Sequence, residues 1–131
     1  MAHREPISPE LAAFLHGEVD GRAFRHADHV RVAFELLARH AFPEAAWRCA
    51  SALKAIAARS GAPTAYHETI TLAFLALIGE RRAAQSYPDY ASFIAANPDL
   101  LDKTVLERWY AADELNSALA RRTFVLPQAR R

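Results

Sequence analysis

Two short blocks carry most of the side chains in this chain that could do chemistry. Phe24–Arg31, F-R-H-A-D-H-V-R, holds His26 and His29, and Tyr66–Thr71, Y-H-E-T-I-T, holds Tyr66, His67 and Glu68. Imidazole is a ligand for zinc, iron, copper and nickel. On a helix, positions i and i+3 lie about 60° apart around the axis, so His26 and His29 can face one ion. His67, from a second helix, would supply a third ligand. Three protein ligands with an open position suit a catalytic divalent ion better than a sealed structural one.

The neighbouring groups fit the same picture. Glu68 could act as general base on metal-bound water, and Tyr66 could donate a hydrogen bond to a substrate. Asp28 could accept from an imidazole N–H or cap its helix, since acids favour helix N-termini. Metal-assisted hydrolysis is the default reaction class, and an oxygen reaction stands equally if the ion is iron or copper. No H-E-x-x-H occurs, so a zincin-type protease is not indicated. Two other readings stay open. The histidines could serve a metal-free pocket for acid–base chemistry or ligand binding, or a non-enzymatic binding or interaction module in which they sense pH or hold a small anion. They could also be helix-start residues satisfied by carboxylates and backbone carbonyls. Arg25, Arg31 and Arg108 are candidates for an anion pocket, because guanidinium pairs well with carboxylate and phosphate.

The elements that must position these groups read as helices. Ser8-Pro9-Glu10 is a helix start, with Ser as N-cap and Pro at the first position, and Gly17 ends that short helix. A second helix runs from about Arg25 to His40, with the apolar stripe Val30, Ala33, Phe34 and Leu37. Arg31, Glu35 and Arg39 fall on its outer side. Pro43 opens a third helix with the inward face Ala46, Trp47, Ala50, Leu53 and Ala57, stopped by Gly61 and Pro63. Cys49 reads as a small core residue. The fourth helix, about Ala65 to Gly79, is apolar nearly all round from Ile70 to Ile78 and is expected to be the most buried. Its crowded polar start, at His67, breaks the pattern, and such breaks tend to mark function. Arg81–Gln85 reads as a polar link. A fifth helix starts at Pro88-Asp89 and a sixth spans Asp99–Ala111, with Leu100, Leu101, Val105, Leu106 and Trp109 inward. Asp113–Arg122 is weakly helical, and Thr123–Pro127 an extended tail laid on the body. The expected fold is therefore all-α, a single domain of about six helices, with residues 1–7 and 128–131 loose.

The blocks F-R-H-A-D-H-V-R, Y-H-E-T-I-T, N-P-D-L-L-D-K and A-R-R-T-F-V-L-P, in that order over about residues 17–127, resemble a group of small bacterial proteins. The resemblance implies a compact helical domain and brings no established activity.

Composition narrows the classes further. Sixteen basic and 15 acidic residues give a net charge of +1 in 131 residues, which offers no reason to expect nucleic acid or an anionic membrane as partner. A single cysteine excludes an intramolecular disulfide and Cys-based metal frameworks. The longest nearly apolar run, Ile70–Ile78, is far shorter than the ~20 residues a bilayer span needs. The N-terminus shows no apolar run of signal-peptide length, so a cytoplasmic protein is expected. A homodimer is compatible with the sequence, which does not say whether the protein is an enzyme.

Overall fold

The Ser8 hydroxyl accepts the Leu11 N–H at 3.1 Å, and Pro9, at the first helical position, has no N–H that needs a partner. From this start the computed structural model, which describes residues 6–128, lays down seven α-helices and, among the described residues, no strand. They are α1 Pro9–Leu15, α2 His26–Arg39, α3 Phe42–Arg59, α4 Glu68–Ala84, α5 Tyr90–Ala96, α6 Ala112–Leu115 and α7 Ala118–Arg122. Three single turns of 3₁₀ helix, Pro63–Ala65, Pro98–Leu101 and Val105–Arg108, join them. The expected loose termini lie largely outside the described residues. Among the described residues, no helix is long and apolar enough to cross a membrane.

The all-α fold agrees with the sequence, and α4 is its centre. It packs against α2, α3 and α7, burying Phe74, Leu75, Leu77 and Ile78. Helix α2 is packed by α1, α3 and α4, so Val32 and Leu36 are buried as well as the expected Val30, Ala33 and Phe34. Glu35 is not a free outer residue. Its carboxylate accepts from the Ser8 N–H at 2.9 Å and the Ser8 hydroxyl at 2.6 Å, which ties α1 to α2.

Four expectations are corrected. The inward face of α3 is Ala45, Ala46, Cys49, Ala52 and Ile56, and Trp47 points outward, 67% exposed. Helix α4 continues through the expected polar link to Ala84, because two arginines there find partners on the body. Arg81 pairs with Asp99 at 2.8 Å, and Arg82 donates to the Leu37 carbonyl at 3.0 Å while lying over the Phe34 ring. Hydrogen bonding from Arg81, with Arg108 adding charge, holds the Asp99 carboxyl down at about 2. The expected sixth helix is two 3₁₀ turns, broken where the Asp102 side chain accepts from the Thr104 N–H and hydroxyl. There Leu100, Val105 and Leu106 are buried, but Leu101 and Trp109 stay exposed. The weak segment 113–122 divides into α6 and α7, since the Ser117 side chain starts a new helix by accepting from the Ala120 N–H at 3.0 Å.

The tail is laid on the body as expected. Thr69, fully buried on α4, donates its hydroxyl to the Thr123 carbonyl at 2.8 Å and accepts the Val125 N–H at 3.1 Å. Tyr110 donates to the Val125 carbonyl at 2.8 Å. Thr69→Val keeps the shape and removes both hydroxyl bonds. It should destabilise the protein by about 1–3 kcal/mol, read as a lower urea midpoint, with faster hydrogen exchange at the Val125 amide. An unchanged Val125 exchange rate would contradict this anchoring role.

Candidate functional site

Helices α2, α3 and α4 leave a cavity of about 580 Å³ between them. Small side chains on their facing surfaces, Ala33, Cys49 and Ala57, help to keep it open. Its wall is mostly apolar, and it includes His26, His29, His67 and Tyr66. The two sequence blocks therefore meet across one space, as their spacing and apolar faces suggested. Glu68 stands beside the cavity and not in its wall.

The three imidazoles have different local duties. His67 is the N-cap of α4, and its Nδ1 accepts the Ile70 N–H at 3.1 Å. The opposite nitrogen, Nε2, donates to the Leu115 carbonyl at 2.6 Å, because a carbonyl can only accept. This fixes the neutral tautomer with the proton on Nε2, and both nitrogens are used by backbone. His26, the first residue of α2, donates through Nε2 to the Leu100 carbonyl at 2.9 Å and packs edge-on against Phe74, ring centroids 4.8 Å apart. Among the described residues no hydrogen bond engages its Nδ1. The His29 ring lies against Phe24, centroids 4.6 Å apart, and among the described residues no hydrogen bond holds it.

The acidic neighbours are engaged as well. The Asp28 carboxylate accepts the Arg25 N–H at 2.8 Å, closing the first turn of α2. Glu68 accepts from the Tyr66 hydroxyl at 2.6 Å. Burial and that carboxylate push the Tyr66 phenol well above its ordinary range, so it remains a donor. Lys54 lies over the Tyr66 ring, 5.1 Å from its centroid. Burial pushes the Cys49 thiol up to about 12, which makes it an inert wall residue at neutral pH. Among the described residues no group of three or more His, Cys, Asp or Glu side chains stands where it could hold one metal ion. Ligation by His67 would require breaking the cap of α4.

The arginines expected near the histidines go elsewhere. Arg31 lies over the Tyr90 ring, Arg108 pairs with Asp99, and neither they nor Arg25 line the cavity. The charged residues of the wall are instead Arg22, Lys103 and Arg121. Sequence reasoning missed them because they come from three separate segments, the turn just before the first block, a link between 3₁₀ turns and α7. Only the Asp20-Gly21 turn hinted that the chain bends back beside the second helix. No family model, curated protein or solved structure matches this chain, so the resemblance rests on its sequence blocks.

Two outcomes test the histidine assignments. Burial, reinforced by nearby His26 and opposed by Asp28, lowers His29 from 6.5 to about 4. The unfolded chain takes up this proton below about pH 6.5 and the folded chain only below about pH 4. Between those values the unfolded state binds more protons, so stability rises with pH in this window and is lost as pH falls through it. The loss is at most about 3 kcal/mol. Urea midpoints at about pH 7 and about pH 4.5 should differ more for the natural protein than for His29→Gln; equal differences would refute the assignment. His67→Ala should cost about 2–4 kcal/mol, the lost cap plus an unpaired buried carbonyl. His67→Asn, which can still cap, should recover about 1 kcal/mol of that. If the two variants unfold at the same midpoint, His67 is not a cap of consequence.

Proposed function

We propose that this protein binds a small, mainly apolar molecule in the cavity between α2, α3 and α4, with His29 as its hydrogen-bonding contact. The observation that carries the reading is the His29 imidazole. It is packed into the wall of a cavity of about 580 Å³, within the size range of small-molecule sites, and its nitrogens are not taken by hydrogen bonds among the described residues. A neutral imidazole offers one donor and one acceptor, so it can orient a hydroxyl, carbonyl or amide on an otherwise apolar ligand. Tyr66, placed in the same wall with its hydroxyl turned to Glu68, supplies an aromatic face.

The divalent-ion reading, with His26, His29 and His67 as ligands and Glu68 as base, asks more of the molecule. His26 Nδ1 and one nitrogen of His29 could serve as a pair on one helix face, but His67 would have to release the Ile70 amide. Small-molecule binding needs no such rearrangement, and it leaves Glu68 as the acceptor that orients Tyr66. Whether a bound molecule is also transformed does not bear on this reading.

Isothermal titration calorimetry with a panel of uncharged aromatic alcohols tests the proposal. At least one should bind saturably. Ala57→Phe, which fills the cavity from α3, should abolish that binding, and His29→Leu should weaken it about tenfold, the worth of one hydrogen bond. Circular dichroism and melting curves should show both variants folded. Binding that Ala57→Phe leaves untouched would sink the reading. The same titration with zinc gives the rival its chance: a site of one equivalent, lost in His29→Leu, would put the metal reading in its place.

A further inference from the structure

The cavity wall is divided by charge. Its most buried residues, Val30, Ala33, Ile56, Leu75 and Ile78, are uncharged and at most 4% exposed. Among the described residues every formally charged residue of the wall is cationic, and all three, Arg22, Lys103 and Arg121, are exposed. They reach the rim from separate parts of the chain: the α1–α2 loop, the link between the second and third 3₁₀ turns, and α7. Among the described residues no Asp or Glu belongs to the wall. The two acids closest in sequence are occupied in their own turns. Asp20 accepts the Arg22 N–H at 3.0 Å, and Asp102 accepts the Thr104 N–H and hydroxyl. Arg121 is held in place, its Nη1 donating to the Thr64 carbonyl at 3.0 Å and the Ala65 carbonyl at 3.4 Å. That fixes a positive charge next to the Tyr66 side of the opening.

We propose that the occupant is an amphipathic organic anion, with an apolar body in the depth of the cavity and a carboxylate or equivalent acid group at the rim among Arg22, Lys103 and Arg121. The inference rests on the reading that the cavity binds a small molecule. An acid group is better placed at the rim than beside His29. At the rim it stays partly hydrated and meets guanidinium and ammonium groups. In the interior it would lose its water against a neutral imidazole. An excess of cations in the wall at the opening would also raise the local concentration of an anion and speed its entry.

The test uses three probes of one body on the full chain: naphthoate, naphthylmethanol and naphthylmethylammonium, titrated by calorimetry. At low salt naphthoate should bind about tenfold tighter than the alcohol, the sum of a few exposed charge pairs, and the ammonium most weakly. The advantage should shrink at high ionic strength. It should also shrink in Arg22→Gln/Lys103→Gln, a double variant that leaves the Arg121 hydrogen bonds intact, and disappear in the triple variant with Arg121→Gln, each checked for folding by its melting curve. If naphthoate binds no tighter than the alcohol, or keeps its advantage in the folded double variant, the anionic assignment is overturned. The cavity reading then still stands, provided Ala57→Phe abolishes the alcohol's binding. If none of the three binds, both fall together.

Discussion

The structure depends on how the first turn of its most buried helix satisfies its polar groups. Helix α4 is apolar enough to be the centre of the fold, yet it begins with Tyr66, His67, Glu68, Thr69 and Thr71. Buried polar groups left without partners cost about as much as several good contacts supply, so this turn cannot merely be covered. Each group is answered by a specific bond. His67 caps Ile70 and reaches Leu115, Thr71 donates to the His67 carbonyl at 2.7 Å, Tyr66 and Glu68 pair, and Thr69 holds the tail. Two of these partners, Leu115 and the Thr123–Val125 strip, belong to the C-terminal segment. Segments α6, α7 and the tail contain few residues able to bury apolar surface alone, and helices of four and five residues do not persist in isolation. They are ordered because they complete the hydrogen bonding of α4.

The same arrangement explains how a cavity survives inside a small domain. A void between helices normally collapses when the surrounding side chains can relax into it. Here two imidazoles act as struts at its edge. His26 ties the start of α2 to the Pro98–Leu101 turn, and His67 ties the start of α4 to α6. Both lie in the cavity wall and both are bonded to backbone carbonyls, so neither is free to swing inward. The wall between them includes Ala33, Ala57 and Cys49, whose side chains are too short to fill the space. His29, one turn along α2 from His26, faces the space without being used to brace it.

Much of this was legible in the sequence, for reasons that can be located. Caps and breakers announced α1, α3 and α5, because Ser8, Pro9, Gly17, Pro43 and Asp89 act within a few residues of themselves, and the apolar stripe announced α2. The continuous apolar run of α4 identified the central helix, and the polar crowding at its mouth, read as a mark of function, is also where the C-terminal segment attaches. The inward face of α3 was misplaced because alanine marks both faces of that helix, so Trp47 weighed more than it should. The region after Asn97 was misread for a different reason. Its apolar spacing suits one helix, but Asp102 takes up the Thr104 amide locally, and a strong side-chain turn overrides periodicity. The rim cations were illegible because nothing in a loop's sequence says which cavity it will pass.

The histidines show the limit of motif reasoning most plainly. His26, His29 and His67 line one cavity, but motif spacing treats them as equivalent. What separates them is backbone that lies 74 and 48 residues away along the chain, the carbonyls of Leu100 and Leu115. An imidazole whose two nitrogens are already spent contributes shape and rigidity. One that is merely packed, like His29, retains chemistry to offer. Its neutrality follows from the same burial that forms the cavity, while the charges that the wall does carry are confined to its exposed edge. A neutral, hydrogen-bonding interior behind a positive opening is what loops of separate origin and one unbraced histidine produce together, and no single block of the sequence contains it.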